Sequence, residues 1–188
     1  MARKRIKDLD LASSTTGSEF VAIDAQGFSS AKKVALTSVV SSASSYCSWG
    51  FTDESGTFET SFLGANAYAN LNVGSSIAFA VNTSDFSVSN TGIITYTGTA
   101  TKPFLILVGA DVFGTNNEDI RFAVSKVNTI LAGGIASCVL PSGNKSESVF
   151  LAAATTLSTN DTIRIRVKNV TQSNPIYTIA ASLSIVSL

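Results

Sequence analysis

The sequence predicts an all-β protein. An antiparallel jelly-roll sandwich is expected over residues 74–188, preceded by an extended arm with a short hairpin over 1–45 and a connecting segment over 46–73. Two observations carry this. The run Asp161–Val170 alternates with period two, so Ile163, Ile165 and Val167 share one face of an extended strand and Arg164, Arg166 and Lys168 share the other. A helix would scatter both sets around its circumference. From Gly74 onward, moreover, short apolar runs recur between clusters of Gly, Pro, Asn, Asp and Ser with no helical stretch among them, the signature of a sandwich or jelly roll.

The first region opens with a basic block, Arg3, Lys4, Arg5 and Lys7, followed by the turn-rich Ser13–Ser18. Two extended runs, Phe20–Ala25 and Ala31–Leu36, flank Gln26-Gly27 and predict a hairpin too small to be stable alone. Thr37 is placed to cap one helical turn through Val39 and Val40, and Ser41–Ser45 reads as a linker. Asp8 and Asp10 stand where the apolar part of a signal peptide would begin, so none is expected. In the second region Tyr46, Trp49, Phe51, Phe58 and Phe62 are read as packing residues that cover one end or edge of the sheets.

Nine strands are then expected: 76–81, 86–88, 92–96, 102–113, 120–127, 130–140, 148–153, 162–170 and 176–186. The turns between them carry residues such as Asn90-Thr-Gly92, Gly114–Asn117, Pro141–Asn144 and Ser158–Asp161, which favour tight reversals. The run Phe104–Val108 is apolar on both faces, so this strand should be covered on both sides. It is too short to span a bilayer, and no membrane insertion is expected.

Composition narrows the function. With 45% apolar residues in 188, a packed core is within reach, but only 14% are charged, well below the usual roughly 25%. A surface so poor in charge is rich in Ser, Thr and Asn, partly covered by association, or both. The net charge is zero, leaving no field with which to hold nucleic acid. Arg164, Arg166 and Lys168 are read as the wet face of a strand, and no exposed-looking aromatics accompany them to stack bases. Cys47 and Cys138 are far apart in sequence and are read as free, buried thiols.

The chain has no histidine, which removes serine and cysteine triads, and two cysteines cannot complete a structural zinc site. A glycosidase needs only two carboxylates, but the acidic pairs Asp53-Glu54 and Glu118-Asp119 are adjacent residues whose side chains diverge, so turn chemistry is the better reading. Asp111, Asn116, Glu118 and Asp119 gather oxygen atoms around the Gly114 turn as a candidate calcium loop, without the EF-hand spacing and against the commoner reading of a metal-free Asn-rich turn. No cofactor is called for.

Two resemblances extend this. Phe86–Gly98, with its Gly92-Ile-Ile-Thr-Tyr96 element, the long strand Pro103–Val112, Ile120–Asn128, Leu157-Ser-Thr-Asn-Asp-Thr-Ile163 and the closing strand Tyr177–Val186 follow the order of the tumour-necrosis-factor/C1q-type jelly roll, which the region 76–188 resembles. Asn160 stands where that family's turn has Gly. The resemblance implies a homotrimer, and the apolar face Ile163, Ile165 and Val167 is the expected lining of its axis. Lys7–Leu11, Thr16–Asp24 and Lys32–Thr37 resemble the amino-terminal attachment segment of bacteriophage fibre and appendage proteins. That implies a virion location, with Arg3, Lys4, Arg5, Lys7, Phe20, Val21 and Ile23 docking on capsid or tail proteins. The expectation is a structural, non-enzymatic head fibre or decoration appendage whose loops 114–119 and 141–147 are candidates for contact with a host cell-surface receptor. A receptor-binding tail-fibre tip, a polysaccharide-degrading spike and a soluble C1q-like ligand are the alternatives.

Overall fold

The computed structural model describes residues 20–23, 32–35, 45–75, 77, 79–142 and 145–188. The basic block at Arg3, Lys4, Arg5 and Lys7 and the helical turn expected at Thr37 lie outside the described residues.

The chain divides into two compact units, Met1–Ala43 and Ser44–Leu188. In the first, β1 (Phe20–Ile23) pairs antiparallel with β2 (Lys32–Ala35), with Phe20 opposite Ala35 and Ile23 opposite Lys32, which is the expected hairpin.

The second unit is an all-β sandwich of two antiparallel sheets, a jelly roll in topology. Its strands are β3 (Tyr46–Thr52), β4 (Phe58–Thr60), β5 (Ala69–Asn70), β6 (Phe79–Asn82), β7 (Phe86–Val88), β8 (Ile94–Tyr96), β9 (Lys102–Gly114), β10 (Asp119–Lys126), β11 (Thr129–Val139), β12 (Glu147–Leu157), β13 (Thr162–Asn169) and β14 (Ile176–Ser187). One sheet runs β11-β10-β13-β8-β7 with β5 added beside β13, and the other runs β12-β9-β14-β3-β6 with β4 added beside β14. Apart from the hairpins β7-β8 and β10-β11, neighbours in each sheet are not consecutive in the chain, which crosses repeatedly between the two layers. The nine strands expected from 76 onward are all present, with ends shifted by a few residues.

The segment 46–73 departs from expectation. It is not a connector at the margin: β3 lies inside its sheet between β14 and β6, and β4 and β5 add to opposite sheets. Cys47, Trp49 and Phe51 alternate inward at 1%, 1% and 4% exposure while Ser48 and Thr52 face out, so the strand follows a period-two pattern.

The core fills the space between the sheets. Phe104, Ile106, Val108, Ala110 and Val112 of β9 meet Ile94 and Tyr96 of β8, Phe122 and Val124 of β10, and Leu183 and Ile185 of β14 in one cluster. Phe86, Tyr96 and Phe104 form an aromatic triangle with ring centroids 5.2–5.4 Å apart, and the Tyr96 hydroxyl escapes burial of an unpaired group by donating to the Ala100 carbonyl at 2.6 Å.

Ile163, Ile165 and Val167 belong to this core, at 0%, 4% and 0% exposure, and not to a trimer axis. Alternation identifies a buried face but not what buries it. Here the opposite sheet of the same chain does so, and burial of each is worth roughly 1.5–3 kcal/mol to the fold of the single chain.

Candidate functional site

The outward face of the sheet containing β9 is the most unusual surface of the sandwich. Strand register places its residues in rows. Ala154, Leu105, Val186 and Tyr46 form one row, and Ala152, Leu107, Ser184 and Ser48 the next. Phe150, Gly109, Ser182 and Gly50 follow, then Ser148, Asp111, Ala180 and Thr52. In this block of sixteen positions only Asp111 carries charge. Tyr46, Leu107, Phe150 and Val186 remain 42%, 44%, 79% and 40% exposed. From strand spacing and rise the block covers about 20 Å by 20 Å, on the order of 400 Å², in which Tyr46, Leu105, Leu107, Phe150 and Val186 stand among Ala, Gly, Ser and Thr.

The shape of this face follows from its glycines. Phe150 lies over Gly109, whose added Cβ would come within 3.2 Å of the ring and 3.1 Å of the Ser182 hydroxyl. Without side chains at Gly50 and Gly109 the sheet is hollowed beside Phe150 into a depression of about 290 Å³ that also touches Asp111, Ala180 and Ser182. One oxygen of Asp111, Oδ1, is enclosed there without a hydrogen-bond partner. A large apolar knob and a small-residue hollow thus sit side by side.

The opposite sheet presents a different face. Arg164, Arg166 and Lys168 project outward from β13, as alternation required, but they are half-buried. The 64–72 segment, anchored where β5 pairs with Arg166 and Val167, lies beside them. Arg166 donates to the Tyr68 carbonyl at 3.0 Å, while the Lys168 ammonium reaches Asn66 Oδ1 at 3.3 Å and stands 5.0 Å from the Tyr68 ring centroid. Two of the three cations therefore hold a strap of chain, which is more than the wet face of a strand.

The candidate calcium loop is not assembled. Glu118 is 2% exposed, and its carboxylate turns inward to accept from Asn169 Nδ2 at 2.7 Å and from Asn174 Nδ2. Asn169 Oδ1 in turn accepts from the Thr171 and Gln172 backbone N–H groups. Glu118 thus ties the loop before β10 to the loop after β13, while Asp111 belongs to the outward face of β9 and Asn116 is exposed. No group of three His, Cys, Asp or Glu side chains placed to hold a metal occurs among the described residues.

Asp53 does turn work as well. Its two carboxylate oxygens accept from the Ser55 and Thr57 hydroxyls and backbone N–H groups, and these bonds, the Ser55 hydroxyl foremost, lower its pKa to about 2. Cys47 and Cys138 are free thiols on strands of different sheets, with pKa values raised by burial to about 12 and about 11. Neither is an activated nucleophile at neutral pH. Of the two loops expected as candidates for receptor contact, 114–119 is described throughout, with Thr115, Asn116 and Asn117 exposed; Gly143 and Asn144 of the other lie outside the described residues. Phe20, Val21 and Ile23 lie on β1.

No protein-family model matches the chain, and no curated protein matches it significantly. Among solved structures the chain is similar to murine APRIL at pH 5.0, with 13% identity and a TM-score of 0.51 over 77% of this chain and 99% of that one. It is also similar to the Eiger TNF from S. frugiperda, with 16% identity and a TM-score of 0.49 over 77% and 91%. A third similarity is to the PRD1 vertex protein P5, with 11% identity and a TM-score of 0.47 over 76% and 95%. The likeness to APRIL bears out the TNF-like jelly roll and concerns the fold alone.

Proposed function

We propose that the protein is a structural, non-enzymatic virion appendage, a head fibre or decoration protein. In this reading three copies assemble through the outward faces of the β9 sheets, and the amino-terminal segment anchors them to capsid or tail proteins. The observation that carries the assembly is the nearly uncharged block around Phe150, Leu107 and Gly109, whose natural occupant is a second copy of the same face. The knob of Phe150 beside the hollow over Gly50 and Gly109 suits a closing threefold contact, in which each chain offers its knob to one neighbour and its hollow to the other. The location on a virion rests on the resemblance of Lys7–Leu11, Thr16–Asp24 and Lys32–Thr37 to phage attachment segments. Three identical tips would strengthen a weak contact with a host surface through effective concentration.

The carboxylates support a role without catalysis: one member of each acidic pair, Asp53 and Glu118, is committed to hydrogen bonds within the fold. The anchor is tested by deleting Met1–Ala43. The cut must stop there, because Ser45 is buried, its hydroxyl bonds Asp85 and its carbonyl accepts from Ser187 N–H at 2.9 Å. The truncated protein should stay folded and trimeric with little change in melting temperature, and should no longer load onto particles. Normal loading would move the attachment surface to the sandwich.

A further inference from the structure

A cavity of about 330 Å³ opens beside β13, between the 70–74 segment and the turn at 91–93. One wall is Arg164. Unlike Arg166 and Lys168, this guanidinium has no hydrogen-bond or ion-pair partner among the described residues, although it is half-buried and its Nε is enclosed. The floor is apolar, with Leu71 and Val73 at 5% and 2% exposure. Beneath lies Trp49, 1% exposed, whose Nε1–H also lacks an acceptor among the described residues. Gly92, at φ +80°, presses the turn onto the indole so closely that an added Cβ would stand 2.9 Å from its Cζ2 atom. Neither Asp nor Glu lines the cavity.

A half-buried cation without a protein partner, its Nε enclosed beside an acid-free cavity, is matched by an anion. We propose that the cavity binds the carboxylate of a small amphipathic ligand, and that an acidic monosaccharide unit is the class it fits. One guanidinium, forked and planar, suits one carboxylate in a bidentate pair. A phosphate dianion would call for a second cation, and Arg166 and Lys168 are already engaged with Tyr68 and Asn66. The exposed Asn70 and Thr91 side chains at the mouth supply partners for hydroxyl groups, and Leu71 and Val73 face the C–H surface of the ring. The volume lies at the small end of ligand pockets, enough for a single unit. None of this depends on the oligomeric state.

Trp49 is the only tryptophan in the chain, so its fluorescence reports on the cavity without a label. The full chain is titrated with glucuronate, with glucose as the neutral counterpart and inorganic phosphate as the competing anion, with calorimetry in parallel. Glucuronate should give a saturable response at millimolar concentration or below, and glucose none. Arg164→Gln should weaken glucuronate binding by about tenfold or more with an unchanged melting temperature, and Arg164→Lys should recover only part of the loss. Tighter binding of phosphate than of glucuronate overturns the carboxylate assignment. Absence of a saturable response by both methods overturns the site, as does equal affinity in parent and Arg164→Gln. The glucuronate and glucose comparison on the unaltered protein decides the matter even if a variant folds poorly.

Discussion

Substituting Phe150 by Glu puts a charge on the outward face of the β9 sheet, on its edge strand β12, without touching the core. Phe150 is 79% exposed in the single chain, so little of its surface contributes to the fold. A Phe side chain carries about 150–250 Å² of surface, and covering the exposed share removes on the order of 150 Å² from water. At about 25 cal/mol per Å² that is roughly 3–4 kcal/mol for each copy buried in an interface. Each 1.4 kcal/mol is about a factor of ten in dissociation constant, so each contact should weaken by more than about 100-fold, and the buried Glu adds its own desolvation cost. Sedimentation velocity across a concentration series should find the parent as a trimer and the Phe150→Glu protein as a monomer. Thermal unfolding should find that monomer still folded. If the variant sediments as the parent does, or if the parent is itself monomeric at micromolar concentration, the assembly face is misassigned.

Three further outcomes follow from the site and the turns. Glu118→Ala leaves the Asn169 and Asn174 amides without their acceptor and should cost about 2–4 kcal/mol in urea unfolding; a loss of a few tenths would mean that the two loops are held otherwise. Val127 has φ 58°, a left-handed conformation that is strained for a β-branched residue, so Val127→Gly should stabilise by about 0.5–1 kcal/mol net of the added freedom of the unfolded chain; a lowered melting temperature would count against the strain. Asp53 has a folded pKa lowered to about 2, against about 3.9 for an unperturbed Asp, so its contribution is fully present above about pH 4 and is lost as pH falls through 2. The stability difference between parent and Asp53→Asn should therefore shrink on acidification through that window, and a difference independent of pH would show that the carboxylate charge is not what closes the turn.

The strands were legible because alternation and turn residues are local signals. The alternation of β13 shows in its sequence, with an end one residue from that expected, and the length of β9 shows in its continuous apolar run. Which surface buries an apolar face is a tertiary fact, however. Ile163, Ile165 and Val167 satisfy the same pattern whether the opposite sheet or another subunit covers them. The local sign of an uncovered apolar face lies in β9, whose Leu105 and Leu107 are apolar on the side that points away from the core. β3 was missed for a related reason, since Ser48 and Gly50 between Cys47, Trp49 and Phe51 resemble linker composition as much as an outward strand face. No local pattern announces that Glu118 meets Asn169 and Asn174, or that among the described residues Arg164 stands unpaired while Arg166 is engaged.

The placement of β14 has a consequence for the order of events in folding. It lies between β9 and β3, with Tyr46 opposite Val186 and Leu105 opposite Val186 on its other edge. The first strand of the sandwich and the long β9 are therefore joined only through its last strand. Until residue 187 has left the ribosome, β3 can pair only with β6 and β9 only with β12, so each keeps one edge open. Such non-local pairing is slow and leaves apolar strands available to the wrong partners. The expression host's chaperone capacity during that interval should influence yield more than the stability of the finished protein does.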